Sequence, residues 1–269
     1  MTRPVALTIA GSDSGAGAGI QADLKTFASL RVYGLSVITA VTAQNTVGVR
    51  AVQEIDLDII KAQLDAVAED FSIGALKTGM LSSAAIIGTI ADGIVRHRLR
   101  PLVVDPVMIA KSGDRLLRED AVEALRRRLL PLAAVVTPNI PEAEVLAGRP
   151  VRTRDNRIAA ARAIIELGAQ AVVIKGGHAQ DDPIVDILVD ANGVREFFAP
   201  RIGTTSTHGT GCTFSAAITA GLAQGLDLEH AVGEARNFVS RALATAPGLG
   251  HGHGPLNHFP APQAAHAHH

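Results

Sequence analysis

The stretch "HGTGCTFSAAI", residues 208–218, holds the one cysteine of the 269-residue chain. Gly209, Thr210 and Gly211 stand directly before a run of helical periodicity that is expected to open at about Cys212. A helix start leaves backbone N–H groups without intrahelical acceptors and sets the positive end of the helix dipole behind them, so this spot suits an anion. A thiol in such a field is expected to ionise more readily than a free cysteine, whose pKa is about 8.5. Four roles could use that thiolate: acyl-transfer nucleophile, redox sensor, metal ligand, or proton acceptor in phosphoryl transfer. A nucleophile needs a base and a third orienting group; His208 lies four residues upstream, and nothing else completes the set by pattern. A metal ligand needs companions, and outside the C-terminal stretch neither a second Cys nor clustered His is present.

Other residues with suitable chemistry follow short apolar runs. In "VVIKGGH" Lys175 ends such a run before two glycines, where an ammonium can neutralise a transferring phosphate. Asp105 in "VVDPVM", and Asn139 and Glu142 in "TPNIPEAE", are oxygen donors of the kind Mg²⁺ uses together with phosphate. Pro141 can start a helix there, with Glu142 in its first turn. The loop "GSDSGAGAGIQAD" carries Gly11, Gly15, Gly17 and Gly19 ahead of a helix expected from near Ile20, so backbone N–H groups can approach a ligand closely. It matches neither the GxxxxGK[ST] phosphate loop nor the dinucleotide GxGxxG motif. Asp23 falls one turn into that helix, and Gln44 in "TAQNT" has an amide that both donates and accepts, which suits the edge of a heterocycle. A base beside an anion cradle, with a lysine and carboxylates on adjoining segments, describes phosphoryl transfer by positioning and charge neutralisation.

These residues need strands that bring them to one end of a sheet. The chain alternates β-branched runs with amphipathic ones: "VALTIAG" then "IQADLKTFASLR", "GLSVITAVTAQN" then "LDIIKAQLDAVAEDF", "IGALKTGM" then "SAAIIGTIADGIVRH", "PLVVDPVM" then "EDAVEALRRRLL", "AAVVTPN" then "PEAEVLA". That alternation predicts βαβ units and a mostly parallel sheet covered on both faces, with ligands at the carboxyl ends of the strands. "PIVDILVDANGVREFFAP" predicts an antiparallel hairpin about Asn192 and Gly193, followed by two helices. No linker or internal repeat divides the chain.

Composition bounds the partner. Lys plus Arg (25) balances Asp plus Glu (26) without basic clusters, and aromatics are 3%, which disfavours nucleic acid and anionic membranes and leaves a small molecule. A single cysteine, no signal-peptide pattern and no run near the roughly 20 apolar residues of a membrane span predict a cytoplasmic protein without an internal disulfide. Six of the ten histidines lie in "GLGHGHGPLNHFPAPQAAHAHH", whose end is expected to be irregular and without a catalytic part.

Taken together, "GSDSGAGAGIQADLKTF", "AQNT", "LKTGML", "DPVM", "TPNIPEAE", "KGGH" and "HGTGCTFSAAI" resemble the hydroxymethylpyrimidine/phosphomethylpyrimidine kinases of the ribokinase-like superfamily, in consistent order from about residue 4 to 259. The resemblance implies a three-layer α/β/α sandwich with antiparallel edge strands, one kinase domain over 1–259 and a flexible His-rich tail over 260–269. It further implies a homodimer that uses ATP and Mg²⁺ to phosphorylate 4-amino-5-hydroxymethyl-2-methylpyrimidine and then its monophosphate, in thiamine biosynthesis. By the same resemblance Asp23 and Gln44 read the pyrimidine, and Gly11, Met80 and Val107 line its pocket. Lys175, Asn139 and Thr210 face the ATP phosphates, Asp105 and Glu142 are the Mg²⁺ side, and Gly209, Gly211 and Cys212 form the anion hole and base. Where the family pattern more often has a third consecutive glycine, this sequence has Ala16. Two other readings fit the same residues: a pyridoxal kinase, and a catalytically silent pyrimidine binder.

Overall fold

The computed structural model describes residues 3–108, 119–178 and 182–260. Among them, nine strands form one sheet in the order β3-β2-β1-β4-β5-β6-β7-β8-β9. The strands are β1 (Val5–Asp13), β2 (Tyr33–Gln44), β3 (Val49–Glu54), β4 (Ala75–Thr78), β5 (Leu102–Val104), β6 (Val135–Val136), β7 (Val172–Ile174), β8 (Ile184–Asp190) and β9 (Gly193–Ala199). β2, β1, β4, β5, β6 and β7 run parallel, whereas β3 at one edge and β8–β9 at the other are antiparallel. The sequence anticipates the β8–β9 hairpin but not β3, because "VRAVQE" is mostly exposed and lacks an apolar face.

Period-two alternation divides the core between two helical layers. Leu102, Val104, Val172 and Ile174 pack on one side with α2 (Leu57–Asp70), α3 (Ala84–Arg96), α4 (Glu119–Ala124), α5 (Ile140–Ala147) and α6 (Arg154–Glu166). Val103, Val135 and Val173 face the other side, against α7 (Thr210–Ala223) and α8 (Leu228–Ala244), and Ala6 there meets α1 (Gly19–Ser29). The sequence reading lacks α6, whose buried face is Arg157, Ala160, Ala161 and Ile164 rather than a run of large aliphatics. Its start is nonetheless marked by a Thr153/Asn156 capping box.

After β1 the chain moves outward to β2 and β3, then returns on the other side of β1 as β4. That reversal is the topological switch point at which open α/β sheets bind ligands. The segment after α8 is irregular yet fixed: His208 N–H donates to Gly254 O (3.0 Å), His253 N–H to Thr46 O (2.9 Å) and Asn257 N–H to Ala242 O (3.1 Å). Apart from Pro260, the tail expected over 260–269 lies outside the described residues.

Candidate active site

The cleft at the switch point has a volume of about 520 Å³ and is bounded by the ends of β1, β2 and β4, the turns after β5 and β7, and the start of α7. Of the residues singled out by sequence, Gly11, Gln44, Met80 and Val107 line one part, and Asp105, Asn139, Glu142, Lys175 and Gly209 to Cys212 line another. Asp23 does not line it.

The floor is two interlocked loops. Asp13 closes the β1–α1 loop by accepting N–H groups from Gly15 (2.8 Å), Gly17 (3.1 Å) and Ala18 (2.8 Å), an Asx turn extended by two donors. Its second oxygen meets His208 Nε2 at 2.8 Å. Burial works against the Asp13 charge, but His208 and the backbone donors outweigh it and hold its pKa below the ordinary value. His208 leads into Gly209, which has φ +81° and caps α7. A Cβ on Gly209 would stand 1.8 Å from Gly17 O, so only glycine fits this contact. Ala16, by contrast, carries a side chain at φ +58°, which costs about 1 kcal/mol and accounts for the glycine in the family pattern.

α7 starts at Thr210, two residues before the expected Cys212, because Gly209 already caps it. Helix geometry leaves the Gly211 and Cys212 N–H groups without intrahelical acceptors and facing the cleft's end. Gly211 also admits Lys175: a Cβ there would be 3.2 Å from Nζ. Lys175 Nζ lies 3.0 Å from Asp105 Oδ1 and 4.0 Å from Glu142 Oε2. The second Asp105 oxygen accepts from Ser215 Oγ at 3.1 Å. Burial opposes the Asp105 charge, yet Lys175 and Lys77 hold its carboxyl below the usual range. Asn139 and Glu142 form a capping box on α5: Asn139 Oδ1 accepts from Glu142 N–H (2.9 Å) and Glu142 Oε2 from Asn139 N–H (2.8 Å). Burial raises the Glu142 pKa to about 7 despite Lys175. Asn139 is therefore a helix cap at the cleft wall, its carbonyl oxygen already engaged.

Gln44 closes the other end. Its Oε1 accepts from Thr42 Oγ1 (3.2 Å), and its Nε2 stands 3.4 Å from His208 Nε2. Met80 and Val107 form apolar walls, with Met80 Cε 3.0 Å from where a Gly11 Cβ would be. An amide at one end of an apolar slot and an ammonium with helix N–H groups at the other can hold a heterocycle and an anion together.

Two expectations need correcting. Asp23 is fully buried beneath the cleft, its carboxylate taken by Lys77 Nζ (2.7 Å) and Thr8 Oγ1 (2.6 Å), so it is not positioned to read a ligand edge. The position one turn into α1 is right, but the side chain faces the sheet rather than the opening. Cys212 does stand at the helix start, yet its pKa is raised to about 12, not lowered. Burial is the largest cause; Lys77 opposes it, while the Asp23 and Asp105 carboxylates add to it.

Sequence reasoning passed over Asp13 and Lys77. The Asp-x-Gly spacing in "SDSG" was the available signal for Asp13; the lysine within the apolar run "IGALKTGM" was the signal for Lys77. At the far end of the cleft Arg236 Nη1 approaches Asp186 Oδ2 (3.3 Å), and Asp186 Oδ1 accepts from Gly176 N–H (2.7 Å), which fixes the turn after Lys175.

Residues 13–257 match the family model described as phosphomethylpyrimidine kinase. The chain belongs to that family. It is 50% identical over 255 residues to a Bacillus subtilis hydroxymethylpyrimidine/phosphomethylpyrimidine kinase, covering 94% of each chain. It is also 50% identical over 253 residues to a thiamine biosynthesis bifunctional protein of Geobacter sulfurreducens, covering 94% of this chain and 52% of that one. Among solved structures, the ADP complex of Bacillus subtilis pyridoxal kinase superposes with a TM-score of 0.89 at 42% identity, covering 96% of this chain and 98% of that one. The fold is thus the ribokinase-like sandwich, and the chain is a kinase. Among the described residues no helix is long and apolar enough to cross a membrane.

Proposed function

We propose that this enzyme transfers the terminal phosphoryl group of ATP to the hydroxymethyl oxygen of 4-amino-5-hydroxymethyl-2-methylpyrimidine, and then phosphorylates the resulting monophosphate to the diphosphate used in thiamine biosynthesis. The observation that carries this reading is that one cleft is lined by Gln44, Met80 and Val107 together with Lys175, Gly211 and Cys212. The near full-length likeness to kinases named for both pyrimidine substrates supports it.

Gln44 pairs with the polar edge of the ring, and Met80 and Val107 hold its faces. The hydroxymethyl group then points toward Cys212, and the terminal phosphoryl lies between Lys175 and the α7 N-terminus. Those donors stabilise the charge that develops on the transferred group, which is where most catalysis of phosphoryl transfer arises. As the substrate oxygen bonds to phosphorus and the bond to ADP breaks, the hydroxyl proton passes to the Cys212 sulfur. The thiol must first release its own proton to solvent, because it starts protonated. In the second transfer the attacking group is a phosphate oxygen already ionised near neutral pH, so Cys212 has less to do.

Mg²⁺ fits the donor set. Two buried carboxylates, Asp105 and Glu142, lie 3.0 and 4.0 Å from the one Lys175 ammonium, a pair of oxygen donors of the kind Mg²⁺ takes. Asp105 and Glu142 would hold the ion, directly or through water, with the ATP phosphates. Bound there, it neutralises phosphate charge. The homodimer implied by the family resemblance is part of the proposal, and light scattering on the purified chain reads it directly.

The pyridoxal kinase likeness favours a second substrate for the same slot. Incubation with MgATP and, separately, the pyrimidine alcohol, its monophosphate and pyridoxal, with products identified by mass, tests the reading. Diphosphate from both pyrimidines supports it; phosphorylation of pyridoxal alone overturns it.

A further inference from the structure

Beneath the cleft lies an ion pair that the chemistry above does not use. Lys77 sits in β4, opposite Thr8 in the parallel register of β1. Its neighbours Leu76 and Ala75 are apolar and buried, whereas Lys77 points between the sheet and helices α1 and α7. Its ammonium donates to Asp23 Oδ1 at 2.7 Å and to the Cys212 carbonyl oxygen at 3.4 Å. Asp23 takes a second bond from Thr8 Oγ1 at 2.6 Å. Both side chains of the pair have zero exposure. A pair with no access to water is a poor source of stability, because the desolvation of two charges offsets their attraction. Its location is informative: one partner anchors α1 under the glycine loop, and the other reaches the first turn of the helix that carries the thiol.

We propose that Lys77 is a positioning residue for Cys212, anchored by Asp23 and Thr8: it fixes the first turn of α7 through the Cys212 carbonyl and is the buried counter-cation for the thiolate. Asp23 sets how much of that cation is left for sulfur. The charged groups acting on the thiol are then Lys77 from β4, Lys175 from the turn after β7, Asp23 from α1 and Asp105 from the turn after β5, with the Gly19 backbone N–H as a neutral donor. Of the two cations Lys77 is the one with no exposure, whereas Lys175 is paired with Asp105; burial opposes the Lys77 charge while Asp23 and the thiol support it. The meaning of this arrangement for turnover rests on Cys212 as proton acceptor; the arrangement itself does not.

The chain's single cysteine makes the test direct, since every alkylation event reports Cys212. Two variants carry opposite signs. In Lys77→Met/Asp23→Asn the buried cation is gone without leaving an unpaired charge, Lys175 remaining with Asp105, and alkylation by iodoacetamide at pH 8.5 is expected to slow at least tenfold. In Asp23→Asn the cation is left to the thiol, and alkylation is expected to quicken at least threefold. Far-UV circular dichroism and ADP binding, measured on the same samples, establish that each variant is folded; if one does not fold, the other decides alone. Folded variants that move in the same direction, or stay within twofold of the wild type, overturn the proposal, because a merely structural pair gives no inversion. In the folded double variant kcat for the first transfer should fall at least tenfold with KM for ATP within twofold. Failure of the proton-acceptor role would show separately, as undiminished turnover by Cys212→Ala while the Lys77 and Asp23 variants, which keep the thiol, still give the opposite alkylation shifts.

Discussion

Replacing Gly209 with alanine tests the interlocked loops on which the anion cradle depends. The new methyl carbon would stand 1.8 Å from Gly17 O and 2.8 Å from its carbonyl carbon, where contacts below 3.0 Å do not persist. The β1–α1 loop and the start of α7 must therefore part by more than 1 Å. Gly209 also has φ +81°, and an alanine held in the left-handed region costs about 1–2 kcal/mol by itself. Gly225 separates the two effects: it has φ +87° with nothing within 4 Å of a built Cβ, so Gly225→Ala carries the backbone strain alone. Misplacement by about 1 Å at a reacting centre costs on the order of 10²-fold in rate. Gly209→Ala is expected to lower kcat/KM for the pyrimidine alcohol about 100-fold while Gly225→Ala stays within threefold of the wild type. ADP release under MgATP saturation, with melting curves for both proteins, reads the difference. Activity of Gly209→Ala within threefold of Gly225→Ala would refute the claim that the Gly17 contact sets the position of α7.

Cys212→Ala should slow the first transfer by about 10²-fold and the second by less than tenfold, measured as single-turnover rates on each pyrimidine. With the wild-type thiol at about 12, the first-transfer rate should climb about tenfold per pH unit between pH 6.5 and 9 once Mg²⁺ is saturating, whereas a thiolate already formed would give a plateau. Glu142 keeps its proton in the folded state up to about pH 7, against about 4.5 when unfolded, so its stabilisation is full below 4.5 and lost as pH rises through 7. That difference amounts to about 3 kcal/mol, and Glu142→Gln should flatten the decline of Tm between pH 5 and 7.5 in the ligand-free protein. His258 behaves oppositely: burial lowers its pKa to about 4, and its Nε2 lies 3.1 Å from Thr213 Oγ1, so stability present above 6.5 is lost as pH falls toward 4. His258→Asn should reduce that acid-side loss of Tm.

The parallel centre of the sheet was legible because β5 and β7 are short apolar runs followed at once by Asp105 and Lys175, and β1 opens on the apolar run "VALTIA" before Gly11, as buried strands with polar mouths do. Lys175, Asp105 and Glu142 could be placed at neighbouring strand ends for the same reason. β3 and α6 were not legible, since one is an exposed edge and the other buries mainly alanine, so neither leaves a strong hydrophobic period. Asp23 shows the limit within the site: periodicity gives its turn on α1 but not that Lys77, 54 residues later, claims its carboxylate. The Cys212 error has a similar origin. The helix start predicts a favoured thiolate, but burial and two nearby carboxylates belong to tertiary packing and raise the pKa instead. His208 and Asp13 are 195 residues apart, so their 2.8 Å contact had no signal in local pattern at all.

The most direct test of the central claim is the ratio of kcat/KM for the pyrimidine alcohol to that for pyridoxal, measured by ADP release with MgATP for the wild type and for Gln44→Ala. The cleft described here should favour the pyrimidine by at least 100-fold in the wild type, and loss of the Gln44 amide should reduce that ratio at least tenfold. A wild-type ratio below one, or a ratio that Gln44→Ala leaves unchanged, would contradict the assignment of this cleft as a pyrimidine site read by Gln44.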